Sequence, residues 1–62
     1  MDYAKLSKAL REKLIITQEE LAKILDVSFV SVNRWENGRN EPTTKVKRKL
    51  VQLLKENNVE VK

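Results

Sequence analysis

The sequence predicts an all-α fold: a compact four-helix domain with a short C-terminal extension. Its 62 residues include one glycine and one proline, Gly38 and Pro42, so there is one major break with helix-compatible sequence on both sides. Alternation of apolar and polar residues is absent except at Val59-Glu60-Val61, and apolar residues recur at three- and four-residue spacing. We therefore expect one domain over residues 1–58 and a tail over 59–62.

The first helix is predicted over about residues 2–14. Leu6, Leu10 and Leu14 fall on one face, which identifies the stripe that packs on a core. Asp2 is suited to cap the N-terminus, because its carboxylate can accept hydrogen bonds from the free backbone amides there.

The second helix is predicted over residues 17–25. Thr17 and Glu20 have the spacing of a capping box, in which each side chain accepts a hydrogen bond from the other residue's backbone amide. Ile16 and Leu21 flank the cap as a hydrophobic staple. The expected buried face consists of Leu21, Ala22, Ile24 and Leu25.

The third and fourth helices are predicted over residues 28–37 and 43–57. Ser28 and Thr43 are the expected N-caps, and Gly38 can close the third helix in the left-handed conformation. The expected inner residues are Val32 and Trp35 on the third helix and Val46, Leu50, Leu53 and Leu54 on the fourth.

Composition excludes most enzyme classes. The chain has no cysteine and no histidine, so thiolate metal sites and the commonest general base are missing. No phosphate-binding loop or nucleophile–base pair is present, and we predict no catalysis, no metal and no cofactor. No apolar run reaches the roughly 20 residues of a membrane span, and the N-terminus does not resemble a signal peptide. We therefore expect a cytoplasmic protein that does not bind membranes.

Basic residues are concentrated in the second half of the chain. Residues 1–32 carry five basic and five acidic side chains, whereas residues 33–62 carry eight and four and thus all of the net charge of +4. The densest part lies between residues 34 and 49. A local basic region suits a polyanion, although the same charges could simply solvate the face of a helix.

The outward face of the third helix is unusually apolar. On a helical wheel Val30, Asn33 and Arg34 point away from the inner residue Val32, with Phe29 beside them. In the DNA major groove an apolar side chain can contact a thymine methyl, Arg can bind guanine and Asn can bind adenine. Packing of Phe29 against the edge of the second helix is an alternative.

The segment TQEELAKILDVSFVSVNRWENG, residues 17–38, resembles the helix-turn-helix of the Cro and phage-repressor-like (XRE-type) family of DNA-binding proteins, whose domains have the lambda-repressor-like fold. The resemblance implies a sequence-specific regulator of transcription that binds double-stranded DNA as a homodimer, with residues 28–37 in the major groove. An alternative is an antitoxin or adaptor that acts mainly through a protein partner.

The resemblance also implies roles for individual residues. Arg11 and Glu36 match positions that form a structural ion pair. Base reading is assigned to Ser28, Phe29, Val30 and Arg34, with Asn33 added from its place on the helix face. Contacts with the DNA backbone are assigned to Gln18, Asn37, Arg39, Asn40, Thr43 and Lys45, whereas Lys47 and Arg48 are as well explained by solvation of the fourth helix.

Two positions depart from the family pattern, and the dimer surface is not apparent. Asp26 replaces the usual turn glycine and should tolerate its conformation. Ile15 replaces the usual Gly or Asn after the first helix. The backbone of this link therefore either takes another conformation or stores strain. The candidates for a dimer contact are Leu53, Leu54, Val59 and Val61.

Overall fold

The computed structural model describes residues 2–59, which form four α-helices joined by short turns. They are α1 (Tyr3–Leu14), α2 (Gln18–Leu25), α3 (Phe29–Glu36) and α4 (Thr44–Glu56). The described residues contain no strand, so the prediction of an all-α fold with four helices is confirmed. Within residues 2–59, no helix is long and apolar enough to cross a membrane.

Side-chain caps begin three of the four helices. Thr17 and Glu20 form the predicted capping box, with Oγ1 of Thr17 accepting from the backbone amide of Glu20 at 3.1 Å and the Glu20 carboxylate accepting from that of Thr17 at 2.9 Å. Asp2 and Ser28 also accept backbone amides in the first turns of α1 and α3. Thr43 has the extended backbone of a cap, but its hydroxyl makes no capping hydrogen bond.

All four helices end in the same geometry, a Schellman motif. A residue in the left-handed region follows each helix, and the next backbone N–H donates to the carbonyl five residues earlier at 2.8–3.0 Å. A glycine takes the left-handed position in only one of the four motifs. These positions are Ile15 (φ 57°), Asp26 (φ 58°), Gly38 (φ 70°) and Asn58 (φ 58°).

Ile15 therefore adopts the conformation that its side chain disfavours. Its φ and ψ are 57° and 54°, where a β-branched residue is a genuine outlier. Its side chain is 90% exposed, so no packing compensates for the strain. The link after α1 keeps the common backbone path and stores strain, which is the second of the two outcomes expected from the sequence.

An apolar residue follows the left-handed position in three of the motifs and packs against the core. These residues are Ile16, Val27 and Val59. Val59 was assigned to the tail, but its backbone amide closes α4 and its side chain is half-buried, so it belongs to the packed domain. Residues 60–62, which include the dimer candidate Val61, lie outside the described part of the chain.

Ten buried residues contributed by all four helices form one core. They are Leu6, Leu10, Leu21, Ala22, Leu25, Val32, Trp35, Val46, Leu50 and Leu54. Ile24 was predicted to be buried but is 47% exposed. The buried residues of α2 form a stripe along the helix. Ile24 lies roughly 100° around the helix axis from the centre of that stripe, so it is on the side of the helix and not on its buried face.

Leu54 is fully buried, so its prediction as a dimer contact is wrong. The apolar stripe of α4 faces the core of its own chain, and Leu54 belongs to that stripe. Leu53, which lies one position away, is only half-buried.

Candidate nucleic-acid interface

Helix α3 has one buried face and one exposed face. It packs against both α1 and α2, with Val32 fully buried and Trp35 5% exposed. On the other side, Phe29 is 45% exposed and Val30 is 50% exposed. The exposure predicted for Val30 and the core position predicted for Trp35 are confirmed, and Phe29 is exposed as well.

Two of the predicted base-reading side chains have hydrogen bonds within the protein. Oγ of Ser28 accepts the backbone amide of Ser31 at 3.2 Å and lies 3.0 Å from the Ser31 hydroxyl. Oδ1 of Asn33 accepts from the amide nitrogen of Asn37 at 3.2 Å. The hydrogen-bonding capacity of Ser28 and Asn33 is thus partly used before any ligand arrives.

Exposed polar residues continue from the end of α3 into the following loop. Arg34, Asn37, Arg39 and Asn40 are all exposed. Neither arginine forms an ion pair with the part of the chain that the structure describes. Both guanidinium groups are consequently available to an anionic partner.

The carboxylate of Glu36 ties the end of α3 to α1 and α2. It is 4% exposed and accepts hydrogen bonds from Oγ of Ser7 at 2.7 Å, from Nε and Nη2 of Arg11, and from Nε2 of Gln18 at 3.0 Å. The Nε contact measures 2.7 Å, so the arginine binds through two nitrogens. The predicted ion pair of Arg11 and Glu36 is present, at the centre of a larger network.

The environment of Glu36 favours its ionised form. Burial acts to raise the pKa of its carboxyl group, but hydrogen bonds from Arg11, Gln18 and Ser7, together with the arginine charge, lower it below its usual value. The pKa of Arg11 is raised, chiefly by the hydrogen bond to Glu36. Both groups are therefore charged at neutral pH.

The parts of Ser7 and Gln18 in this network were not predicted from the sequence. Ser7 is fully buried in α1 one turn before Arg11, and a polar residue at that spacing on the inner flank was the available signal. Gln18, predicted to contact a phosphate, already donates to Glu36 from the first turn of α2. Its amide group can donate a second hydrogen bond, so the two roles are compatible.

The N-terminus of α4 follows the loop after α3. Two residues that were predicted to contact the DNA backbone lie there. Thr43 and Lys45 are exposed. Lys47 instead forms an ion pair with Glu41 at 2.9 Å and lies 5.0 Å from the ring centre of Tyr3. These contacts favour a local structural role for Lys47, whereas Arg48 is exposed.

Residues 2–59 contain no group of three acidic side chains placed to hold a metal ion. The exposed surface of α3 and the following loop consists of an apolar patch on the first turn of α3, followed by cationic and amide side chains. Such a surface can contact apolar groups and anions.

The chain is similar to known proteins over more than half of its length. The HTH-type transcriptional regulator DicA of Escherichia coli (strain K12) is 54% identical over 35 residues, which cover 56% of this chain and 26% of DicA. The match thus spans about a quarter of that relative's length. No solved structure matches the chain. The model of a helix-turn-helix family matches residues 8–57, and the protein therefore belongs to the helix-turn-helix family, in its Cro and phage-repressor-like branch.

Proposed function

We propose that this protein is a sequence-specific transcriptional regulator that inserts α3 into the major groove of double-stranded DNA. One observation carries the proposal: α3 is fixed by its buried face and by Glu36, while its outer face is left open to a partner. A helix held rigidly with a free outer face can present side chains to base edges in a constant register.

Contacts with bases and with phosphates are assigned to different parts of this surface. Phe29, Val30 and Arg34 lie on the exposed side of α3 and approach the bases, with Ser28 and Asn33 limited by their internal hydrogen bonds. Contacts with phosphate fix the position of the protein on the duplex. They are assigned to Gln18, Asn37, Arg39, Asn40, Thr43 and Lys45.

The size of the domain fits a homodimer that binds a DNA site with two half-sites. Its longest dimension is 26 Å. Two half-sites on the same face of DNA are about 34–36 Å apart, so one domain covers one half-site and a second copy is needed for the other. Leu54 is excluded from the dimer contact, because it is fully buried in its own chain.

Selection of binding sites from random double-stranded DNA, followed by titration at several salt concentrations, tests the proposal. We expect an enriched site with two-fold symmetry and an affinity that falls as salt rises, with a slope of about −0.9 per neutralised phosphate. Arg39→Gln and Lys45→Gln should each reduce the slope by about 0.9. Lys8→Gln, an exposed position on α1 outside the assigned surface, is the matched control and should leave the slope unchanged.

Each part of the proposal can fail separately. An enriched site without two-fold symmetry, or a complex with the mass of one chain per site, would refute the homodimer. Equal slopes for all three variants would refute the phosphate assignment. Failure to enrich any DNA would refute the function itself and would favour the alternative of an antitoxin or adaptor, for which copurification with a single protein is the corresponding assay.

A further inference from the structure

Ile15 has two unfavourable features at once. Its backbone lies in the left-handed region, at φ 57° and ψ 54°, and its side chain is 90% exposed. That exposure is the highest among the large apolar residues that the structure describes. Residues with a strained backbone tend to be retained where the strain serves a function. Ile15 is not part of the surface assigned to DNA, so its exposure calls for a different partner.

A groove lined mostly by apolar atoms lies between the first turn of α1 and the outer side of α4. Its volume is about 540 Å³, which is within the range of about 300–1,000 Å³ that is typical of binding sites. Tyr3 and Val51 contribute to the lining, and both are half-buried. The residues that line the groove are also separate from the surface assigned to DNA.

Ile15 and the groove are at opposite ends of α1. Tyr3 is the first residue of this helix, and Ile15 follows its last residue. The 12 residues of α1 span about 18 Å, which is close to the shortest dimension of the domain, 19 Å. Ile15 therefore cannot enter the groove of its own chain, but it can enter the groove of another copy.

The charges around the two surfaces are complementary. Residues 12–20, which include Ile15, contain three acidic side chains and one basic side chain. The groove is lined by three basic side chains and one acidic side chain. Glu12 and Glu19 near Ile15, like Arg48 and Lys55 at the groove, are exposed and form no ion pair within residues 2–59. Opposite charges are thus free on the two surfaces.

We propose that copies of this protein associate head to tail, with Ile15 of one copy in the groove beside Tyr3 and Val51 of the next. Insertion buries the exposed isoleucine together with the apolar lining of the groove. It also brings the acidic side chains around Ile15 towards the basic side chains of the groove. Burial of Ile15 between copies compensates for the strain that its backbone holds in each of them.

This contact differs from the symmetric homodimer proposed above. It joins two different surfaces, so each end of a pair keeps one of them free and a third copy can add in the same way. On DNA it would favour the occupation of neighbouring sites by several copies. The inference itself rests on Ile15 and the groove, and it does not require DNA binding.

Association without DNA tests the proposal, with a fluorescently labelled copy titrated by an unlabelled one. The anisotropy should rise with concentration for the original protein. Ile15→Gly should associate with itself at least tenfold more weakly, equivalent to about 1.4 kcal/mol, because the buried side chain is lost. Ile15→Val removes a single methylene group and should weaken association about fourfold. Relief of strain should make Ile15→Gly more stable, so its weaker association would not reflect unfolding.

Mixing two variants distinguishes a head-to-tail contact from a symmetric one. Ile15→Gly keeps the groove intact, whereas Val51→Gln keeps Ile15 but makes the groove polar. Each variant should associate weakly with itself, yet a labelled Ile15→Gly copy should bind unlabelled Val51→Gln nearly as tightly as two original copies bind each other. A symmetric homodimer would contribute equally to all three combinations. Circular dichroism checks that Val51→Gln retains its helices.

The charges provide a second readout. Association should weaken as salt rises, because exposed charges are screened. It should also weaken in Lys55→Gln, which removes one free charge at the groove. Lys8→Gln, an exposed position on α1 outside both surfaces, is the matched control and should leave association unchanged.

Several results would overturn the proposal. One is the absence of association of the original protein at millimolar concentration, and another is Ile15→Gly associating as tightly as the original. Equal binding in the three combinations of the mixing experiment would indicate a symmetric contact instead. Equal affinities of Lys55→Gln and Lys8→Gln would refute the role of charge complementarity. All of these results would leave the DNA-binding function intact, because it is measured separately.

Discussion

Replacement of Ile15 by glycine should stabilise the protein. A left-handed conformation costs a residue with a side chain about 1–2 kcal/mol relative to the right-handed one. Ile15 has φ 57° and ψ 54° and is 90% exposed, so its side chain returns no packing energy. The greater freedom of glycine in the unfolded chain offsets about 0.4–1 kcal/mol of the relief. The net gain is about 0.8 kcal/mol, or about 3–6 °C in melting temperature for a domain of this size.

Thermal and urea unfolding followed by the fluorescence of Trp35 measure this effect, because the only tryptophan is buried in the core. Ile15→Val is the matched control: it keeps the β-branch and the strain, and its stability should stay within about 0.5 kcal/mol of the original. If Ile15→Gly unfolds at the same temperature as the original protein or earlier, the reasoning from backbone strain is wrong.

Three further changes follow from the structure. Arg11→Ala leaves the buried carboxylate of Glu36 without its charged partner. The free energy of unfolding should therefore fall by about 2–3 kcal/mol, and the affinity for DNA should fall with it. Unchanged thermal stability would refute the pairing. The lowered pKa of Glu36 means that its contribution to stability is present above the usual carboxyl pKa of about 4.3 and is lost as pH falls below it. Urea midpoints should therefore drop with acidification, and less steeply in Glu36→Gln; equal slopes would contradict this. Gly38→Ala should destabilise by about 0.8 kcal/mol net, because the cost of about 1–2 kcal/mol at a φ of 70° is offset by about 0.4–1 kcal/mol from the reduced freedom of the unfolded chain. Nothing lies within 4 Å of the added carbon, so calorimetry showing no change would argue against a strained backbone there.

The helices could be predicted because their signals are local. The capping box of Thr17 and Glu20 and the cap at Ser28 depend on side chains within three residues of the amides that they bind. The apolar stripes likewise follow from the period of the helix. These short-range rules were sufficient for the number of helices and for most of the core.

Other features depend on contacts between distant parts of the chain. Ser7 lies 29 residues from Glu36, and Gln18 lies 18 residues from it, so no local pattern indicates that they share one carboxylate. Leu54 and Ile24 fit an apolar stripe equally well in sequence, yet Leu54 is fully buried and Ile24 is 47% exposed. The internal hydrogen bonds of Ser28 and Asn33 likewise become visible only when side-chain rotamers are known.

The convergence of three side chains on Glu36 has a consequence for how substitutions combine. Ser7, Arg11 and Gln18 all donate to the same carboxylate, so their contributions are coupled rather than independent. Once Glu36 is replaced by a residue that cannot accept these hydrogen bonds, a second replacement among the donors should do little further harm. A chain that has lost this carboxylate could therefore accumulate changes in α1 and α2 that the intact protein would not tolerate, and restoring Glu36 alone would no longer restore the original network.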